Sequence, residues 1–100
     1  MAWGDYAIVA VRYDYDHSRI VKVKRRKVAD GHLESPTEEY RQTVVDDLEN
    51  NIEYNTAFKN DEGNWDYGED LHILEIEGEK FLRTDQNDEG EDNLGGLPEF

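Results

Sequence analysis

Apolar residues recur at helical spacing in one stretch, residues 35–51 (SPTEEYRQTVVDDLENN), and at strand spacing on either side of it. Tyr40, Val44, Val45 and Leu48 form one stripe, with Glu39, Arg41, Gln42, Asp46 and Glu49 largely outside it, as in an amphipathic helix. Ser35 and Glu38 stand at capping-box spacing, and Pro36 falls at a first helical position, where its missing N–H costs nothing. Asn50 and Asn51 suit a left-handed cap at the far end.

Residues 6–13, YAIVAVRY, are β-formers apolar on both faces, the pattern of a strand inside a sheet. The turn residues DYDHS at 14–18 predict a hairpin return over 20–28, with Val21 and Val23 on a dry face and Lys22, Lys24 and Arg26 on a wet one. Residues 29–34, ADGHLE, read as a loop entering the helix. Beyond the helix, Ile52, Tyr54, Thr56 and Phe58 alternate as the buried side of a strand over 52–59, and NDEGN at 60–64 is a turn. Trp65, Tyr67 and Gly68 lie between that turn and a strand carrying Leu71, Ile73, Leu74 and Ile76, whose shift of parity fits a bulge or a strand covered on both faces. Gly78 marks a tight turn into a last strand over 80–84, with Phe81 pointing inward. Five carboxylates within 85–92 make a solvated loop, and Leu94, Leu97 and Phe100 are spaced to lie along a surface.

These elements predict one α+β domain over residues 1–100. Its sheet is antiparallel, with about five strands in the order β-β-α-β-β-β and one covering helix, and residues 85–100 pack on it as an acidic loop and tail. A small closed barrel with the helix plugging its mouth is the alternative. No internal repeat is present in the sequence.

Composition sharpens this picture. A chain of 100 residues builds a modest core. Its 22 Val, Ile, Leu and Phe residues keep it just above the level, about 20%, below which charged chains are usually disordered. The absence of cysteine removes disulfides, thiolate metal sites and thiol nucleophiles. Neither a basic leader nor an apolar run of spanning length is seen, so a soluble, cytoplasmic protein without membrane contact is expected. Net charge is −14, from 25 acidic and 11 basic residues, and such a surface repels itself in dilute buffer. Molar salt shortens the screening length to about 3 Å and removes most of that penalty. The balance therefore points to a halophilic cytoplasm.

The least random feature is the basic run between residues 19 and 27, where Arg19, Lys22, Lys24, Arg25, Arg26 and Lys27 hold six of the eleven cations with no acid among them. Lys22, Lys24 and Arg26, one every second residue, match the repeat of a nucleic-acid backbone, with Tyr13 or Tyr15 placed to stack on bases. Two considerations oppose that reading. Acidic strands beside the run would neutralise it across the sheet, and the net charge repels polyanions while high salt weakens phosphate contacts.

Other chemistry is thin. His17, His32 and His72 are too scattered for a metal site, and no cofactor signature is present. Asp70 and His72 share a strand face as an oriented base would, without a visible nucleophile or oxyanion donor. Asp85, Asn87, Glu89 and Gly90 imitate half a calcium loop, but position twelve is Gly96 instead of Glu. Acidic residues are so abundant that no carboxylate pair is informative for glycoside chemistry.

IVAVRYD near the start, TVVDDLENN leading into EYNT, FLRTD, and the closing DNLGGLPEF together resemble a family of small bacterial and archaeal proteins known only as a domain of unknown function. The resemblance runs from Ile8 to Pro98 and is most specific at Phe81 to Asp85 and in the Asp-Asn-Leu, two residues, Leu-Pro ending. It implies importance for Arg83, Thr84, Asp92, Asn93, Leu94, Leu97 and Pro98, and it implies no activity. Family members often end the helix in Gly, where this chain has Asn50 and Asn51.

Two roles follow for the ending. Asp92 and Asn93 can fold the tail into a turn, or Arg83, Thr84, Asp92 and Asn93 can converge on a ligand or partner peptide, with Arg83 as anchor. The favoured function is a non-enzymatic interaction module that contacts an unidentified protein, or a second copy, through a sheet edge or the Leu-Pro tail. The alternative is a nucleic-acid-binding module using Lys22, Lys24 and Arg26. If the charge reading holds, circular dichroism will show the fold gaining stability between tens of millimolar and molar KCl. Equal stability at both would contradict it.

Overall fold

A computed structural model describes residues 3–84, 90 and 92–100. Among them the chain forms β1 (Tyr6–Tyr13), β2 (Ile20–Ala29), β3 (His32–Leu33), β4 (Thr37–Tyr40), α1 (Arg41–Glu49), β5 (Tyr54–Lys59), β6 (Trp65–Asp70), β7 (His72–Ile76) and β8 (Glu79–Arg83). Six strands build one sheet in the order β3-β2-β1-β5-β6, with β4 also on β2, and β7 and β8 pair separately. This corrects the expected five-stranded antiparallel sheet with a covering helix. The chain is mostly β, its sheet is mixed, and β1 runs parallel to β5 through Tyr6↔Tyr54, Ala7↔Asn55 and Ile8↔Thr56.

The parallel pair explains what the helix does. Two parallel strands cannot be joined by a tight turn and need a crossover. β4 lies antiparallel to β2, so the chain leaves it in the direction of β1 and α1 carries it back to begin β5. Nine residues suffice for this, and the helix starts five residues later than the predicted first helical position at Pro36. Residues 37–40 are extended instead, pairing with Lys22 to Arg25 along an edge of β2 that would otherwise expose its N–H and C=O groups. That pairing overrides the local capping box: Glu38 is a strand residue, and Tyr40 caps α1 without a side-chain bond. Pro36 interrupts the edge between β3 and β4. The far end of the helix follows expectation, with the Asn50 side chain donating to the Asp46 carbonyl at 2.8 Å and Asn51 at φ 65°.

Local turn chemistry also corrects the loop expected over 29–34. Asp30 and Gly31 have φ of 43° and 81°, the pair of positive values that a two-residue hairpin turn requires, and they fold β3 back on β2. Glu77 and Gly78 do the same between β7 and β8. Trp65 and Tyr67, expected to lie between strands, are in β6. Register shifts fall between Ile8 and Ala10, Arg12 and Tyr13, and Asn55 and Ala57. The second of these leaves Val21 outside the pairing of Ile20 and Lys22, so it is 41% exposed while Val23 is buried.

One face of the sheet carries the main core, where Ile8, Val11, Ile20, Val23 and Tyr54 meet Val44 and Val45 of α1, Leu71, Leu82, Leu94 and Leu97. Leu94 and Leu97 thus lie deeper than a surface-covering tail. The tail also completes β1, whose Val11 N–H donates to the Pro98 carbonyl at 2.9 Å and whose Val11 carbonyl accepts from Phe100 N–H at 3.0 Å.

Arg25 points to this core side. Its guanidinium bonds Asp47 Oδ2 at 3.0 Å and the Tyr54 hydroxyl, pairs with Glu39 at 3.6 Å, and lies over the Tyr6 ring at 4.0 Å. Tyr54 in turn donates to Asp47 Oδ2 at 2.7 Å. Burial, then the bond to Asp47, raises the Tyr54 pKa well above 10. At the sheet edge the bond to Asp70, together with burial, pushes Tyr67 up to about 12. Both hydroxyls stay protonated in the fold where an unfolded chain ionises near 10. Their contribution is complete below that pH and is lost as pH climbs from about 10 through the raised values. Thermal melts between pH 9 and 11.5 should show this decline, and Tyr54→Phe should make it shallower while lowering stability at pH 7.

Candidate functional site

The register places Arg12, Lys22, Lys24, Arg26 and Lys59 on the sheet face away from the helix, because Arg12 stands opposite Lys22, Ala10 opposite Lys24, Ala7 opposite Arg26, and Lys59 opposite Trp65. Each of the five sits over an aromatic ring. Lys22 Nζ is 5.0 Å from the Tyr40 ring centroid. Arg12 Cζ and Lys24 Nζ are 4.7 and 4.8 Å from that of Phe100. Arg26 Cζ and Lys59 Nζ are 5.1 and 5.7 Å from that of Trp65. These distances fall within cation–π range. Below the rings runs a small satellite core of Ala7, Val9 and Ala57, on which Trp3, Val28, Leu33 and Trp65 pack.

The basic strand is therefore divided. Lys22, Lys24 and Arg26 share the open face, as alternation predicts, while Arg25 turns into the core network. Part of the run is neutralised by β4, with Lys22 3.8 Å from Glu38 and Arg25 3.6 Å from Glu39. Arg19 leaves the group altogether to meet Glu79 at 3.1 Å. Sequence reasoning missed Arg12, Lys59, Trp65, Tyr40 and Phe100 as members of the face. The Asp-Gly pair at 30–31 was the available signal for the hairpin that folds β3 into place beside Val28 and Trp65.

The second candidate group has a different fate. Asp92 is buried, and both of its carboxylate oxygens are engaged. Oδ2 accepts from Ile20 N–H at 2.8 Å and Arg41 Nε at 2.7 Å, and Oδ1 accepts from Leu82 N–H at 2.8 Å and Arg41 Nη2 at 3.1 Å. Its own N–H donates to the Ser18 carbonyl at 2.9 Å. Asn93 joins β8 as a bridge partner of Arg83, and its Oδ1 accepts from Gly95 N–H at 2.9 Å, closing the predicted local turn. Arg83 is 1% exposed. Thr84 and Asn93 line a shallow hollow with Thr56, Phe58 and Gly68. Arg83 and Asp92 are thus inside the fold, and Thr84 and Asn93 are at its surface.

Among the histidines, His17 stacks on Tyr13 and meets Glu99 at 3.2 Å, and His72 stands opposite Arg83. Asp70 accepts from the Tyr67 hydroxyl. Among the described residues no three His, Cys, Asp or Glu side chains gather to hold a metal ion. The calcium-loop likeness rests on residues 85–89, which lie outside the described residues. No helix among the described residues is long and apolar enough to cross a membrane.

A small, mostly β domain with one crossover helix and an open sheet face of cations over rings is what fold and site together define. The chain belongs to a family of proteins of unknown function (DUF3892), whose profile matches residues 7–98. No curated protein and no solved structure matches it.

The carboxylate of Asp92 yields a direct test. Removing it leaves Arg41 and two buried amides without their acceptor, so Asp92→Ala should cost roughly 3 kcal/mol in denaturant unfolding. A loss below about 0.5 kcal/mol, the size of an ordinary surface change, would refute this assignment.

Proposed function

We propose that this domain is a non-catalytic binding module that holds an extended, acidic segment of another protein on the open face of its sheet, in a cytosol of high ionic strength. One observation carries the reading: five of the eleven cations lie on one face, each over an aromatic ring, in a chain of net charge −14. A guanidinium stacked on a ring keeps N–H donors around its edge for carboxylates, and a ring-backed ammonium does likewise. In high salt the long-range repulsion between two acidic proteins is screened, while contacts at a few ångströms persist.

Nucleic acid is the second reading, favoured by the same row of cations. Base stacking needs open ring faces, and here Phe100 already lies against both Arg12 and Lys24. The acidic net charge and the salt sensitivity of phosphate contacts weigh further against it.

Titration with a glutamate-rich peptide and with single-stranded RNA and DNA across a KCl series separates the two. The peptide is expected to bind, and Lys22→Glu with Lys24→Glu should weaken it by about tenfold or more, while Lys80→Glu, away from this face, leaves it unchanged. Binding of RNA or DNA alone, with a steep loss in salt, would replace the protein partner by a nucleic acid.

A further inference from the structure

The open face is not uniformly polar. Between the hairpin tips at Gly31 and Gly63 lies a cleft of about 590 Å³, inside the range of about 300–1,000 Å³ usual for sites that enclose an organic group. Trp3, Val28, Leu33 and Trp65 form its wall, with His32 and Asn64 also lining it. The same four wall residues pack on Ala7, Val9 and Ala57 beneath, so the floor of the cleft is dry while its top is open.

Two observations indicate what enters. Arg26 and Lys59 stand over Trp65, so cations flank an apolar wall. Arg26 donates through Nη1 to the Glu34 carbonyl at 3.1 Å, and its buried Nε has no hydrogen-bond partner among the described residues. Elsewhere on the same face the chain displays what such cations hold. The Phe100 ring lies against Arg12 and Lys24, and Arg12 Nε donates to the Phe100 main-chain oxygen at 2.8 Å, so a ring and an oxygen are taken together.

We infer that this cleft is the anchor pocket for an aromatic side chain flanked by carboxylates in the bound segment, the ring packing against Trp3 and Trp65 and the carboxylates meeting Arg26 and Lys59. The inference rests on the open face being a docking surface for an acidic segment, and it adds the residue that would fix the segment's register. A buried ring supplies the apolar area that charge contacts in high salt lack.

The molecule provides its own probe, since both of its tryptophans line this cleft. A glutamate-rich peptide with a central Phe is expected to bind about 10- to 100-fold more tightly than the same peptide with Ala there, and to shift tryptophan emission. Trp65→Ala should erase that preference. Trp65 also packs on the satellite core, so His32→Tyr, which narrows the mouth from an exposed position, is the second variant and should lower the preference several-fold with the circular dichroism spectrum unchanged. Equal affinity for the two peptides with emission unmoved, while Lys22→Glu with Lys24→Glu still weakens both, would overturn the pocket and leave the docking surface standing. If neither peptide binds, the docking surface itself fails, and the pocket falls with it.

Discussion

A single carboxylate joins four parts of the chain that lie far apart in sequence. Asp92 holds the first residue of β2, the backbone of β8 and the first residue of α1, and its own backbone leads into the tail. An ionised carboxylate removed from water is tolerable only when its lone pairs are all met, by charge and by hydrogen bonds. Here two amides and a bidentate guanidinium meet them, so the contact is specific as well as strong. Arg41 also reaches the Lys80 carbonyl, which extends the tie from Asp92 to the start of β8. The neighbouring residues of the ending continue the logic, with Asn93 closing a turn and Leu94 entering the core.

The two faces of the sheet follow from this arrangement. The crossover helix, with Leu94 and Leu97 of the tail, occupies one side and brings most of the large aliphatic residues there. On the other side, among the described residues, the buried floor is Ala7, Val9 and Ala57, too little to bury a second layer. Aromatic rings and the aliphatic stems of Lys and Arg cover it instead, keeping their charged ends in water. A surface of that kind is soluble in isolation and still offers apolar area to a partner.

Much of this was legible before any coordinates. Strand β1 matched its predicted bounds because its β-formers and its two apolar faces agree. The Gly78 turn and the Asn50–Asn51 cap were readable because each depends on a few adjacent residues. The start of the helix was not, since residues 35–40 carry both a capping box and β-forming Thr37 and Tyr40, and the choice between them is made by the open edge of β2, which is distant in sequence. Parallel pairing of β1 with β5 was hidden for the same reason. The alternation of Lys22, Lys24 and Arg26 located half of the cationic face. Its other half, Arg12, Lys59 and the three rings, comes from other strands and from the tail, and no local spacing links them. The roles of Arg83 and Asp92 were obscured by the habit of placing charged residues at surfaces, when pairing with Arg41 is what lets Asp92 lie inside.

The division of labour along β1 has a consequence for how the protein is made. Its first half is paired by β5 and its second half by residues from the opposite end of the chain. During translation YAIVAVRY therefore leaves the ribosome before these partners, and part of one edge stays open until residues 98–100 have followed. A β-rich segment with an open edge invites pairing with neighbouring nascent chains, and the excess of acidic residues that emerges after it keeps those neighbours apart in the interval.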